Sequence, residues 1–163
     1  NDTRSAKEAI DLNNEFGGAD ATAKATGSLL VASFTATKLR WIVDHEPENA
    51  KKIAAVCLPH DYLSWCLTGS SNLNDLFTDR SDASGTGYFD SIKSEYRRDL
   101  LKIVLRGQDV ILPKVLKPSE IATIARKNSL KLIDLQGMHY NPITQMYSLS
   151  DDVSVNYLIC YQL

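Results

Sequence analysis

The pattern of apolar residues changes near residue 116, and this change constrains the fold more than any other feature of the chain. Before it, apolar residues recur at helical spacing in several segments, of which Thr35–His45 is the clearest. After it, Lys117 and Pro118 open one more helix, and extended segments follow at 130–149 and 153–161. We therefore predict an α/β or α+β chain that is mainly helical to about residue 116 and ends in a helix and two antiparallel strands.

Local start and stop signals sharpen this outline. Thr35 is a plausible N-cap, and Pro59 stands at a first helical position. We also predict a helix at 47–55 and a short buried strand at 56–58. Residues 70–87 are rich in Ser, Asn, Asp and Gly, which is typical of loop.

Composition excludes some classes of partner. The 163 residues are 44% hydrophobic, which suits a single core, although two small domains remain possible. A formal net charge of -2 gives no basic surface for a phosphate backbone, so nucleic acid is not an expected partner. No apolar run approaches the ~20 residues that span a bilayer, so we expect no membrane partner either.

The three cysteines, Cys57, Cys66 and Cys160, lie within apolar stretches. An odd number in such settings is typical of reduced, buried thiols rather than of a disulfide framework. We therefore expect a cytoplasmic protein. Because the sequence begins at Asn1 without Met, we also expect that residues precede it in the native polypeptide.

Chemical motifs are scarce. The chain has no Gly-x4-Gly-Lys-Ser/Thr string and no Gly-x-Ser-x-Gly elbow, and Gly85 and Gly87 are interpreted as a turn. Its histidines are far apart in sequence and its cysteines lack Cys-x2-Cys spacing, so we predict no metal site, no bound cofactor and no catalytic residue. Asp79 and Asp82 suit a polyol or a cation, or more simply the capping of loop backbone.

Residues 33–45 (SFTATKLRWIVDH) resemble the first signature of the FGGY carbohydrate kinases along their whole length. Residues 1–5 (NDTRS), 57–63 (CLPHDYL) and 78–89 (TDRSDASGTGYF) resemble the xylulokinases of that family, in the same order and at the same separations. The resemblance covers residues 1 to about 116. It implies a partial actin- and hexokinase-like lobe, which is a ribonuclease H-like fold.

The resemblance also implies a chemistry, in which two lobes close over D-xylulose and ATP with Mg2+. It places Asp2 and Arg4 near the sugar and Ser33 and Lys38 on the signature segment, and these four are our candidate substrate-binding residues. The phosphate loop and the aspartate base of the family lie outside the present residues. Because phosphoryl transfer needs several elements at once, we expect weak sugar binding and no turnover.

Residues 117 to 163 carry a second resemblance. Residues 117–120 (KPSE), 135–142 (LQGMHYNP) and 149–158 (LSDDVSVNYL) resemble the C-terminal end of the ubiquinone-biosynthesis O-methyltransferases. In that family they form the last helix and two strands of a Rossmann-like sheet. Residues 138–141 approach the aromatic substrate there, although strand packing explains them equally well.

We therefore divide the chain into a kinase N-terminal lobe fragment, residues 1–116, and a methyltransferase C-terminal fragment, residues 117–163. The favoured function is that of a xylulokinase-like fragment that is inactive alone, so whether the chain is an enzyme stays open. One alternative is an S-adenosylmethionine-dependent O-methyltransferase of ubiquinone biosynthesis, and another is a non-catalytic structural or interaction module. Unpaired sheet edges recruit other chains, which makes a homo-oligomer a further expectation.

Overall fold

Helices dominate the first part of the chain and strands the last, in agreement with the prediction. The computed structural model describes residues 2–141, 143–153 and 156–162. The helices in these residues are α1 (Ala6–Glu15), α2 (Ala19–Thr26), α3 (Thr35–His45), α4 (Pro47–Ala50), α5 (Pro59–Leu67), α6 (Arg80–Ser84), α7 (Arg98–Val104) and α8 (Pro118–Lys127), with a 3-10 turn at Leu73–Asp75. The strands are β1 (Phe77–Asp79), β2 (Phe89–Asp90), β3 (Glu95–Tyr96), β4 (Lys114–Leu116), β5 (Lys131–Asn141), β6 (Met146–Ser150) and β7 (Tyr157–Gln162).

The chain divides into two units. The first comprises Asn1–Thr78 and Asp82–Lys114, and the second comprises Asp79–Ser81 and Val115–Leu163. These units are defined by contacts and do not show from which family each segment comes. The division into a kinase fragment and a methyltransferase fragment near residue 116 therefore stays a prediction.

The core of the first unit is built from one face of each of three helices. Leu12 of α1, Leu39 of α3 and Val104 of α7 are all buried in the same apolar cluster. The cluster also takes in Tyr88, which precedes the antiparallel β2–β3 pair. Burying such side chains is the main favourable contribution to folding. The largest fully buried side chain, however, is that of Arg40 on α3.

A tight turn brings the end of α6 against the start of α3. The Ala36 amide donates to the Thr86 carbonyl oxygen at 2.8 Å. Gly87 has φ +83°, and a Cβ there would lie 2.6 Å from Leu30 Cδ2 and 3.2 Å from the Ala36 Cβ. Only glycine meets both requirements without strain, which confirms that the Gly85 and Gly87 pair forms a turn.

Prolines begin three helices, α4, α5 and α8, as predicted at Pro59, and in α5 and α8 a carboxylate of the first turn also accepts a hydrogen bond from a backbone amide. The Asp61 carboxylate accepts a hydrogen bond from the Leu58 amide at 3.0 Å, and the Glu120 carboxylate accepts one from the Lys117 amide at 3.0 Å. Each carboxylate satisfies an amide that the helix leaves unpaired at its first turn. The predicted N-cap role of Thr35 is wrong, because Thr35 is already the first helical residue and no side chain caps α3.

The second unit contains a three-stranded antiparallel sheet in the order β6-β5-β7. This is one strand more than predicted. The Asn141 side chain accepts hydrogen bonds from the amides of Ile143 and Thr144, and this turn divides the long extended segment into β5 and β6. Of the residues used in the prediction, Pro142, Ser154 and Val155 lie outside those described, as does Asn1 at the start of the chain.

Several local predictions need correction. The helix predicted at 47–55 ends at Ala50, and the strand predicted at 56–58 is reduced to one parallel bridge between Ala55 and Ile111. The loop predicted at 78–87 contains the short helix α6. All three cysteines are free, but Cys66 and Cys160 are exposed and Cys57 is half-buried. Apolar sequence neighbours therefore did not make them core residues.

Across the described ranges, no helix has both the length and the apolar character that crossing a bilayer requires.

Candidate functional site

A cleft of about 280 Å³ opens in the first unit, where the start of the chain lies against α3. Its lining residues are Asp2, Arg4, Ser5, Lys38, Trp41, Ile42 and Glu46. The cleft therefore brings together three of the four candidate substrate-binding residues, Asp2 and Arg4 from the start of the chain and Lys38 from more than thirty positions later.

The fourth candidate, Ser33, is not among the lining residues, but it contacts one of them. The Lys38 ammonium donates a hydrogen bond to the Ser33 carbonyl oxygen at 2.7 Å. This bond holds the Lys38 side chain against the turn that precedes α3. Because an ammonium group has three N–H donors, Lys38 keeps two for a ligand.

Ser5 fastens the N-terminal segment to α3 below the cleft. Its buried hydroxyl lies 3.0 Å from the Ala32 carbonyl oxygen and 3.0 Å from the Thr37 hydroxyl. Thr37 in turn donates to the Phe34 carbonyl oxygen at 2.9 Å. Buried hydroxyls need such partners, so this network fixes where residues 2–4 lie relative to α3.

Asp2 and Arg4 form a bidentate pair at the mouth of the cleft. Arg4 Nη2 donates to Asp2 Oδ2 at 2.7 Å, and Arg4 Nε lies 3.1 and 3.0 Å from the two carboxylate oxygens. The Arg4 amide also donates to Oδ1 at 3.0 Å. These hydrogen bonds lower the pKa of Asp2 to about 2, with a smaller contribution from the charge of Lys38.

The Arg4 guanidinium also contacts an aromatic ring. Its central carbon lies 4.5 Å from the centroid of the Trp41 ring. The Trp41 indole stacks on the His45 imidazole, with 4.7 Å between centroids and 12° between planes. His45 Nδ1 lies 3.0 Å from the Trp41 carbonyl oxygen and 3.8 Å from Glu8 Oε1. Arg4, Trp41, His45 and Glu8 thus form a continuous series of contacts that links the N-terminal segment, α3 and α1.

The cleft offers both donors and acceptors. Arg4 Nη1 donates to none of the described residues, and it adds to the free N–H groups of Lys38. Asp2 and Glu46 supply carboxylate oxygens. Two cationic and two anionic groups balance in charge, so the cleft suits a neutral ligand with several hydroxyl groups better than a phosphorylated one.

A second polar cluster lies at the start of α5. His60 Nε2 is 2.7 Å from Asp82 Oδ2 and 3.4 Å from Asp61 Oδ1, and the three ligand-type atoms all lie within 4.8 Å of one another. Asp61 is already engaged as the cap of α5, and pairing with two carboxylates accounts for His60. The prediction that the chain holds no metal ion stays a prediction.

The other candidates occupy structural positions. Asp82 pairs with His60, as described, and Asp79 ends β1. Residues 138–141 form part of β5, where Tyr140 packs against Tyr147 of β6 with 4.9 Å between centroids. His139 lies 3.8 Å from the Asp152 carboxylate. This is the strand-packing role that the sequence allowed as an alternative to a substrate pocket.

Residues 1–141 match the family described as "FGGY family of carbohydrate kinases, N-terminal domain". The chain belongs to the FGGY family of carbohydrate kinases. The family match includes the whole cleft and both segments that form it.

Individual relatives of this FGGY chain are xylulose kinases. The xylulose kinase of Streptomyces coelicolor is 46% identical over 126 residues, which are 77% of this chain and 25% of that protein. The xylulose kinase of Haemophilus influenzae is 35% identical over 147 residues, 83% of this chain and 29% of the relative. The chain thus spans about a quarter of the length of these relatives.

Solved structures agree. The crystal structure of xylulose kinase from Bifidobacterium adolescentis superposes with a TM-score of 0.69 at 43% identity, over 72% of this chain and 30% of that one. A kinase structure from Brucella ovis gives a TM-score of 0.60 at 31% identity, over 76% and 25%. The predicted fold class, an α/β chain with a partial actin- and hexokinase-like lobe, is confirmed.

The methyltransferase resemblance has weaker support. A Bordetella pertussis protein named ubiquinone biosynthesis O-methyltransferase is 33% identical over 118 residues, 72% of this chain and 44% of that protein. A match of that length is much longer than residues 117–163, so most of it precedes the segment on which the resemblance was based. The FGGY match, in contrast, runs from the kinase-like segment through to residue 141.

The sequence-based reasoning missed Trp41, Ile42 and Glu46 as lining residues. In the helical spacing of Thr35–His45, Trp41 stands beside the apolar residues Leu39 and Ile42, and large apolar residues at such positions are more often buried in a core. The structure separates the two faces: Leu39 is in the core, whereas Trp41 is half-buried in the cleft. The signal was present, because Lys38, Trp41 and Ile42 have the i, i+3, i+4 spacing of one helix face.

Proposed function

We propose that this chain supplies the sugar-binding part of a xylulose-type carbohydrate kinase, and that the cleft around Asp2, Arg4 and Lys38 binds a neutral polyol such as D-xylulose. The observation that carries the proposal is the convergence of these side chains on one cleft formed by family-typical segments. The xylulose kinases among the relatives support the choice of sugar.

The cleft chemistry supports a polyol. Every sugar hydroxyl can donate one hydrogen bond and accept others, so it pairs well with alternating carboxylates and cations. Asp2 stays ionised at neutral pH, because its pKa is about 2, and therefore accepts hydrogen bonds only. Lys38 and Arg4 donate. At about 280 Å³, the cleft lies near the small end of ligand pockets, which fits a five-carbon sugar.

In this proposal ATP and Mg2+ are the co-substrate and its ion in the complete kinase, and the residues of this chain bind neither. The chain orients the sugar, while the groups that hold the phosphates and remove the hydroxyl proton come from elsewhere in a complete enzyme. Phosphoryl transfer depends on all of these groups together, so the isolated chain gives no turnover. Free cysteines fit the reducing cytoplasm in which such a kinase would act.

The experiment is a calorimetric titration of the chain with D-xylulose. We expect saturable binding in the millimolar range, which is typical of a single open cleft. Lys38→Met should weaken binding roughly fivefold or more, since it removes a charged donor. Lys7→Met is the matched control, because Lys7 pairs with Asp11 away from the cleft lining, and it should leave affinity unchanged.

Three outcomes would contradict the proposal. Equal sugar affinity in the Lys38→Met and wild-type chains would mean that the sugar binds at a site other than this cleft. Phosphorylation of the sugar on addition of ATP and Mg2+ would show that the chain alone holds a complete active site. Heat released by S-adenosylmethionine instead of by sugar would favour the methyltransferase alternative.

A further inference from the structure

Trp41 contacts Arg4, the residue that holds the Asp2 carboxylate. The Arg4 guanidinium lies over its ring at 4.5 Å, and Arg4 holds both carboxylate oxygens of Asp2. Trp41 is half-buried in the cleft lining, yet the buried core cluster does not include it. Its position therefore calls for an explanation other than core packing.

We propose that Trp41 is a positioning residue of the sugar cleft: its indole fixes the Arg4 guanidinium, which in turn fixes the Asp2 carboxylate where sugar hydroxyls reach it. The effect on sugar binding rests on the proposed function. The effect on the Asp2 and Arg4 geometry does not.

An exposed ion pair would not hold this geometry alone. The side chains of Arg4 and Asp2 are 66% and 45% exposed. Such pairs contribute little, because water screens the charges and two side chains must each give up rotamers. A planar aromatic face adds a second, directional contact to the guanidinium, since the negative face of the indole attracts a cation. Arg suits this arrangement better than Lys because its guanidinium is planar and stacks.

Trp41 is itself anchored from two helices. His45, one turn later on α3, stacks on its ring at 4.7 Å and approaches its carbonyl oxygen. His45 Nδ1 also lies 3.8 Å from Glu8 on α1, a carboxylate that is only 3% exposed. The platform under Arg4 is therefore fixed by the packing of α1 against α3.

The same contacts argue against direct stacking of a sugar on Trp41. Arg4 already covers the indole, and a sugar ring could take that place only by displacing Arg4 and freeing Asp2. The role of Trp41 is therefore exerted through Arg4.

The first test needs no sugar. The Asp2 carboxyl is titrated by carbon-detected NMR in the wild-type chain and in Trp41→Leu and Trp41→Phe variants. We expect Trp41→Leu to raise the pKa of Asp2 from about 2 towards its ordinary value of 3.8. Trp41→Phe keeps an aromatic face under Arg4, so the pKa of Asp2 should stay close to that of the wild type. Trp65→Leu is the matched control, because Trp65 donates to the Asn72 carbonyl oxygen and lies outside the cleft lining. An unchanged Asp2 titration in Trp41→Leu would overturn the inference.

The second test measures D-xylulose affinity in the same variants. We expect Trp41→Leu to weaken binding roughly two- to fivefold, with partial recovery in Trp41→Phe, as the strength of an exposed cation–π contact implies. If Trp41→Leu fails to fold, Trp41→Met replaces the ring with a flexible apolar side chain while leaving Arg4 and Asp2 in place, and it should shift the Asp2 titration in the same direction.

The two tests separate two failures. If neither the wild-type chain nor any variant binds sugar, the proposed function is wrong. The Asp2 titration then still decides whether Trp41 positions Arg4 and Asp2. If wild-type and Trp41→Leu chains bind sugar equally well, the cleft binds sugar without help from Trp41, and the inference is wrong.

Discussion

The guanidinium of Arg40 donates hydrogen bonds of 3.1 and 2.7 Å to the two carboxylate oxygens of Glu15, from a position that is only 1% exposed. Its Nε and Nη2 also donate to the carbonyl oxygens of Val104 and Ile103, at 3.1 and 2.7 Å. One side chain on α3 therefore holds the last residue of α1 and the end of α7. Buried charges need such complete pairing.

Arg40→Met should destabilise the chain by on the order of 2–4 kcal/mol, because it leaves two carbonyl groups and part of a carboxylate without their donors. Urea denaturation measures the loss. Arg106→Met is the matched control: Arg106 pairs with Asp44 at 2.7 Å, but its side chain is 58% exposed. That change should cost at most about 1 kcal/mol. Equal losses would mean that the buried network adds nothing beyond an ordinary surface pair.

Two glycines in one turn should respond differently to alanine. Gly87→Ala places a methyl group against Leu30 at a left-handed backbone angle, so we expect a loss of about 1–3 kcal/mol. Gly85→Ala meets only the Asp82 carbonyl oxygen at an ordinary 3.5 Å and should stay within about 0.5 kcal/mol of the wild type. Thermal unfolding followed by circular dichroism compares the two. Similar losses at both positions would contradict the turn geometry.

The Asp2 and Arg4 pair should give sugar binding an unusual acid tolerance. The pKa of Asp2 is lowered from 3.8 to about 2, so the ionised pair is fully present above 3.8 and is lost as pH falls through about 2. We expect sugar affinity to show no titration of Asp2 between pH 4 and 8. Arg4→Gln should weaken binding throughout and move the acid loss up towards pH 3.8. A wild-type decline centred near pH 3.8 would show that Arg4 does not hold the carboxylate in solution.

The thiols should fall into two kinetic classes with Ellman's reagent. Cys66 and Cys160 are exposed and should react fast. Cys57 is half-buried, and burial, followed by the charge of Asp61, raises its pKa, so it should react several-fold more slowly at pH 8. Single Cys→Ser variants assign the phases. A uniform rate for all three would contradict this arrangement.

Local signals in the sequence predicted the positions of helices and strands better than they predicted which side chains of a helix face the core. The helix predicted at Thr35–His45 is confirmed, although Thr35 is its first residue and not its N-cap, because its apolar spacing is strong. The same spacing did not reveal which apolar residue faces the core: Leu39 does, and Trp41 faces the cleft. That choice depends on where α1 and the N-terminal segment pack, which periodicity along one helix does not contain.

The candidate site illustrates the same limit. Asp2, Arg4 and Lys38 were named from family resemblance, and only the fold shows that they share a cleft. The buried Arg40 was not predicted, since a charged residue in a helix is usually exposed. Its partners come from residue 15 and from residues 103–104, and no local pattern connects these positions. Binding of sugar by Asp2, Arg4, Ser33 and Lys38 remains a prediction.

Gly137 is the residue of β5 that pairs on both sides, with Ser150 of β6 and with Tyr157 of β7. The two strand pairs of the second unit therefore overlap at a single rung: residues 131–136 pair with β7, with a register shift between Leu132 and Asp134, and residues 138–141 pair with β6. In hydrogen-exchange experiments, the amides of the two strand pairs should open as separate groups. A side chain at Gly137 would overlap the Asp152 carbonyl, so that rung is also where one substitution would uncouple them.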